Sequence, residues 1–171
     1  MARPPDADTV GRIRPILVTP DPRLRMPAGR IGGSGGRVRE LADDLVATMR
    51  SASGLGLAAP QIGEPVRLAV VEADGRLLVL VDPRIDRQGP AVTEWEGCLS
   101  VPERVARVAR PAWVEVRWAD VLGASHRLRA DGLLARAIAH EVDHLRGVLY
   151  VDLVAPEALV DTREHPSPPA G

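Results

Sequence analysis

His140-Glu141-Val142-Asp143-His144 lies in a stretch whose apolar residues recur at helical spacing. On a helix, residues four apart differ by only about 40° in direction, so both imidazoles can reach one ion. Glu141 then stands one step round, beside the ion but not necessarily on it, which places a base next to metal-bound water. Asp131 is a good N-cap for this helix, and Gly147 suits the position just past its end. Leu134, Ile138, Val142 and Leu145 form the stripe expected to be buried, whereas Arg136, Asp143 and Arg146 point the other way. The His pair is therefore expected at the edge of the core, where a cleft can reach it.

Two His make an incomplete site, because a catalytic centre of the zinc type wants three protein ligands and one open position. Three residues compete for the third place. Tyr150 falls three residues after Gly147, where metzincin proteases carry a His, but Tyr is an unusual ligand. Glu164 is an acid 20 residues beyond His144, in a Pro-rich tail that offers no second helix. Cys98 is distant in sequence, but a thiolate is a soft, strong ligand, and Glu96-Gly97 before it and Leu99-Ser100-Val101-Pro102 after it read as a strand end and turn.

The composition narrows the chemistry from the other side. With 171 residues, 45% hydrophobic and 26% charged, the chain has the balance of one globular domain, expected over 1–152, with 153–171 as a loose C-terminal extension. A net charge of -1 gives no electrostatic footprint for nucleic acid or an anionic membrane. All 22 basic residues are Arg, so there is neither a Schiff-base lysine nor a P-loop lysine. A lone Cys cannot form an internal disulfide and fits a reducing compartment. No apolar run approaches the roughly 20 residues of a membrane helix, and Met1 to Asp8 resemble neither a secretory signal nor a transit peptide, so the expected location is cytoplasmic.

Elsewhere, Val38, Leu41, Leu45 and Met49 mark a helix over 37–51, preceded by a flexible linker at Gly32-Gly33-Ser34-Gly35-Gly36 and ended by Gly54. Short β-rich runs at 66–71, 77–81, 91–95 and 113–118 suggest antiparallel strands. The expected fold is α+β: small antiparallel sheets packed around a central helix carrying the His-Glu-x-x-His segment, with the first helix across the outside. Gly54-Leu-Gly-Leu-Ala-Ala-Pro-Gln61 contains Gly-x-Gly-x-x-Ala, with Asp74 placed 20 residues after Gly54 as in a dinucleotide fingerprint. That reading fails on context, since a helix precedes the glycines and Pro60 and Pro65 spoil the helix that should follow. What the loop offers is close backbone approach at Gly54 and Gly56 and a neutral donor, Gln61, for an oxyanion.

Taken together, Gly54-Leu-Gly-Leu-Ala-Ala-Pro-Gln61, Glu96-Gly-Cys-Leu-Ser100 and His140-Glu-Val-Asp-His144 resemble the signature segments of the peptide deformylase family, in the family's order. The likeness runs from about Ile16 through Asp21-Pro-Arg-Leu-Arg to Asp152. It implies that Cys98, His140 and His144 hold one divalent metal ion, iron(II) with zinc, nickel or cobalt able to substitute, and that metal-bound water attacks a formyl carbon. Glu141 would be the base and then the acid. The Gln61 side chain and the Leu99 backbone N–H would stabilise the oxyanion, and Leu55 and Gly56, after Gly54, would line the substrate groove. The implied substrate is an N-formylmethionyl peptide, cleaved to formate and a free amino terminus, with transient ribosome contact as a further family trait. The resemblance also suggests an ion pair between Glu96 and Arg110. Trp113, Trp118 and Tyr150 read as core or rim residues. In one departure, Ala139 stands where the family usually has Gln, on a helix face expected to lie away from both metal and buried stripe. A zincin-like peptidase using Tyr150 and a non-catalytic binding module are the competing readings.

Overall fold

Val38, Leu41, Leu45 and Met49 are all buried on one side of the first helix, α1 (Gly36–Ser51), as their spacing predicts. The chain turns out of this helix where the Gly54 N–H reaches back to the Met49 carbonyl at 2.9 Å. The computed structural model describes residues 11–32 and 35–164. Gly33 and Ser34 of the expected linker, the acidic N-terminal residues and the Pro166-Ser-Pro-Pro segment lie outside the described residues.

After α1 come β1 (Gly56–Ala58), a 3-10 turn over Ala59–Ile62, β2 (Leu68–Ala73) and β3 (Arg76–Gln88). They are followed by β4 (Ala91–Cys98), β5 (Val101–Pro111), β6 (Trp113–Ala119), β7 (Ser125–Asp131), the second helix α2 (Gly132–His144) and finally β8 (Val160–Asp161). The strands form two antiparallel sheets, one ordered β1-β2-β3-β6-β7 and the other β4-β5-β8. Asp74 and Gly75, with φ of +52° and +71°, make the tight β2–β3 hairpin turn. Asp74 is thus a turn residue, as the rejection of the dinucleotide reading requires.

α2 packs against β1, β2, β3, β6 and β7 of the first sheet and β5 of the second. That position explains two departures from the helical-wheel reading. Arg136 and Ala139, expected on the outward faces, are only 9% and 6% exposed, because a helix held between two sheets has apolar or partnered neighbours on nearly every side. Asp131 does hold the N-cap position, but its side chain makes no cap hydrogen bond; it continues the extended backbone of β7. At the other end α2 stops at His144, and Gly147 (φ +76°) completes the following turn while Val148 N–H closes on Asp143 O at 3.0 Å.

The extension after Asp152 is not loose over its described part. A 3-10 turn at Pro156–Ala158 leads into β8, which pairs Val160 with Val105 and Asp161 with Arg104 on β5. Tyr150 is buried beneath this sheet among Leu24, Val101, Ala106, Val108 and Leu149. Four strands have no counterpart among the β-rich runs of the sequence, β1, β5, β7 and β8, and β3 and β4 extend beyond the runs at 77–81 and 91–95. β7 is an edge strand rich in Arg and His, and β5 interleaves three Arg with its buried Val and Ala.

Gly147 combines two constraints: its positive φ, and a Cβ position that would fall 2.6 Å from the Arg25 carbonyl carbon. Gly32 has φ +58° but open space around it. Urea unfolding is expected to show Gly147→Ala losing about 2 kcal/mol or more, and Gly32→Ala roughly 1 kcal/mol, the cost of the backbone conformation alone. Equal losses would contradict the packing part of this account.

Candidate metal centre

The site is assembled where α2 meets the far end of β4. The register of β4 and β5 shifts between Gly97 and Cys98, so Cys98 leaves the regular ladder and faces the helix. His140 and His144, one turn apart on α2, are 6% and 1% exposed. Cys98 Sγ lies 3.3 Å from His144 Nε2, which lies 3.1 Å from His140 Nε2. One ligand atom from each of the three residues falls within 4.8 Å of the others.

His140 is oriented from behind. Its Nδ1 sits 2.6 Å from Glu96 Oε1, so an Nδ1–H donates to that carboxylate and leaves Nε2 facing the other two donors. The Glu96 carboxylate is itself saturated: Arg110 donates at 2.6 and 3.0 Å and Arg136 at 2.8 Å. Burial alone would raise the Glu96 pKa, but the hydrogen bonds from His140 and Arg110 outweigh it and hold the carboxyl well below the usual range. Arg110 extends the chain of charges to Asp143 at 2.5 Å. The pair expected between Glu96 and Arg110 is present and buried, and Arg136 and Asp143, read from sequence as solvent-facing, belong to the same network. Only the assumption of a single buried helix face hid them. Burial likewise drives the His144 pKa well down, with His140 and Arg110 adding to the effect, so its ring stays neutral as a ligand must.

Glu141 lies between α2 and β1. Its side chain is 2% exposed and Oε2 is buried with no hydrogen-bond partner. Burial pushes its carboxyl up to about 7 against the pull of His140, with the charge of Glu96 adding to the rise. Gly56 makes room for it: a Cβ at that position would lie 2.9 Å from Glu141 Cδ. The glycine thus admits the carboxylate of the chain's own helix.

The 3-10 turn after β1 fixes Gln61. Its Oε1 accepts from Ala58 N–H at 2.8 Å, and its Nε2 donates to Ser100 Oγ at 3.1 Å and lies 3.7 Å from Cys98 Sγ. The donor end of the amide is therefore turned toward the Cys98 cluster. Leu99 follows Cys98 in the tight turn to β5. Leu55 and Gly56 line a cavity with Glu96, Gly97, His140 and Glu141, whereas Gly54 serves α1 through its bond to Met49. Neither rival third ligand reaches the cluster. Tyr150 donates its hydroxyl to the Arg104 carbonyl at 2.9 Å, and Glu164 follows β8, beyond the sheet.

Two imidazoles, a thiol and an orphaned buried carboxylate oxygen beside them fit a divalent transition-metal cation with one protein-free position. Three protein donors leave one coordination position open, as in a catalytic rather than a closed structural centre. The unpartnered acid gives this one a group for moving protons.

A family profile described as "Polypeptide deformylase" matches residues 13–159. A peptide deformylase of Rhizobium meliloti (strain 1021) is 40% identical over 149 residues, covering 84% of this chain and 86% of that protein. One from Synechococcus sp. (strain RCC307) is 46% identical over 140 residues, covering 78% and 70%. Among solved structures, a peptide deformylase from Synechococcus elongatus in complex with actinonin superposes with a TM-score of 0.83 at 40% identity, covering 92% of this chain and 91% of that one. The Met-Ala-Ser-bound class I type b enzyme of Acinetobacter baumannii gives 0.79 at 29% identity, over 83% and 98%.

Metal titration followed by elemental analysis is expected to give one divalent ion per chain, lost in Cys98→Ala and in His144→Ala. His126→Ala, which removes an exposed ring paired with Asp120 on the far sheet edge, leaves the stoichiometry unchanged. Glu96→Gln is expected to weaken the ion by about 10- to 100-fold, the usual cost of freeing a ligating imidazole.

Proposed function

Because the chain belongs to the polypeptide deformylase family, a family of hydrolytic enzymes, we propose that it removes the N-formyl group from the formylmethionine of newly made polypeptides and releases formate. The single observation that carries this reading beyond membership is Glu141: a buried, unpartnered carboxylate with a raised pKa beside a Cys-His-His cluster. Hydrolysis of an amide needs a proton taken from water and then given to a leaving amine. A carboxyl balanced near neutrality can do both.

Cys98, His140 and His144 would hold the ion. When bound, it supplies Lewis acidity, making a water acidic and a formyl carbonyl electrophilic. The remaining work falls to the chain. Glu141 accepts the proton of the attacking water and delivers it to the amine as the C–N bond breaks, so one water becomes the hydroxyl of formate and the hydrogen on the new amino terminus. The Gln61 amide, held by Ala58 and Ser100, and the Leu99 backbone N–H donate to the oxyanion that forms at the formyl carbon. β1 lies at the edge of its sheet, so Leu55 and Gly56 can pair with an extended peptide backbone. The donor set suits iron(II), zinc, nickel or cobalt; we assign iron(II) from the family likeness.

This reading places the enzyme in the cytoplasm, acting on nascent chains near the ribosome and on neither nucleic acid nor membrane. No helix among the described residues is long and apolar enough to cross a membrane, and a net charge of -1 calls for no phosphate backbone.

Protein purified without air is expected to release formate from formyl-Met-Ala-Ser with one bound metal. Glu141→Gln should keep the ion and lose about 10²- to 10⁴-fold in kcat. Gln61→Leu should lose about 10²- to 10³-fold with the ion retained. Metal-loaded wild-type protein that releases no formate would reject the assignment.

A further inference from the structure

Two cavities lie along the outer side of α2. The narrow one, about 30 Å³, opens beside His140 and Glu141. The larger, about 450 Å³, lies behind it among Val92, Glu94, Pro111, Ala112 and the start of α2. Trp95, Leu133 and Arg136 line both cavities and so stand between them.

Arg136 is the immovable part of that partition. Its guanidinium donates to Glu96 at 2.8 Å, to the Val92 carbonyl at 3.1 Å and to the Val108 carbonyl at 3.0 Å, so it is bound to both strands of the β4–β5 hairpin. Swinging it away would strip one of several donors from a buried carboxylate and the guanidinium bonds from two carbonyls. Leu133, by contrast, is 39% exposed and closes the partition from the solvent side.

We propose that Arg136 is the specificity-determining back wall of the pocket that takes the first side chain of the substrate, and that the larger cavity is a closed-off extension of it. This rests on the deformylase reading, since it supposes a formylated residue whose carbonyl lies beside Glu141 and whose side chain enters the narrow cavity. A slim, unbranched side chain ends at the guanidinium. One two methylenes longer meets it. Shortening Arg136 joins the cavities, and each methylene then taken out of water is worth about fourfold in kcat/KM.

The test compares formyl-norleucyl-Ala-Ser with formyl-2-aminooctanoyl-Ala-Ser, whose side chains differ only in length, with formyl-Met-Ala-Ser as reference. In Arg136→Ala the kcat/KM ratio of long to short substrate is expected to rise about 15-fold over wild type. Arg136→Gln, which keeps a donor for Glu96, should give a smaller rise, and Arg136→Ala with Ala112→Leu, which refills the rear cavity, should fall back toward wild type. If the Arg136 variants fail to fold, Leu133→Ala opens the same partition from its exposed side and must raise the ratio. Where turnover is too low to read, calorimetric Kd values for norleucyl-Ala-Ser and 2-aminooctanoyl-Ala-Ser must show the same shift. A ratio within twofold of wild type in every folded variant overturns the inference while formate release by wild type leaves the deformylase reading standing. Wild type inactive on all three substrates overturns both.

Discussion

One carboxylate ties the molecule together. Glu96, near the end of β4, receives Arg110 from β5 and both Arg136 and His140 from α2, so two strands and the central helix meet at a single buried charge. Burying that charge alone would be prohibitive. Surrounded by donors it becomes an anchor, because removing any one of them exposes the rest to an uncompensated interior. The same carboxylate sets the ring orientation of His140, so the packing of the sheet against the helix and the aim of a ligand atom are one problem with one solution.

The His-Glu-x-x-His segment, the lone Cys and Gln61 were legible in the sequence because their chemistry is carried by residue type and short spacing, which survive any fold. Architecture was legible wherever the period was clean: α1, α2, and the runs that became β2, β3, β4 and β6. It was illegible where charge interrupted the period, as in β5 and β7, whose Arg side chains face solvent or the Glu96 network. Arg136 shows the limit best. A helical wheel presumes one core and one solvent side, but α2 lies between two sheets, and its supposed polar face is a second interior. Only tertiary partners tell a buried Arg from an exposed one.

Gly56 shows how a residue can be assigned correctly for an incomplete reason. Read from sequence, it spares space for a substrate backbone; in the structure it also spares space for Glu141, whose carboxyl would collide with any side chain there. The edge strand and the helix that carries Glu141 are therefore spaced by the smallest residue available. A larger one would push the carboxylate out of its dry position, and with it the raised pKa that burial produces.

The long separation of Cys98 from its partners sets when the site can exist. Cys98 and His144 stand 46 residues apart, and the sheet that presents Cys98 is completed only by β8, near the end of the described chain. During synthesis the thiol emerges well before either imidazole, and its sheet is finished after both. No fragment lacking α2 can bring the three donors together, so affinity for the ion arises only once both the β4–β5 hairpin and α2 are present, and a bound ion stabilises only a state in which they are packed together. An enzyme whose proposed substrates are unfinished chains cannot itself be active until its own α2 has been made and packed against β4.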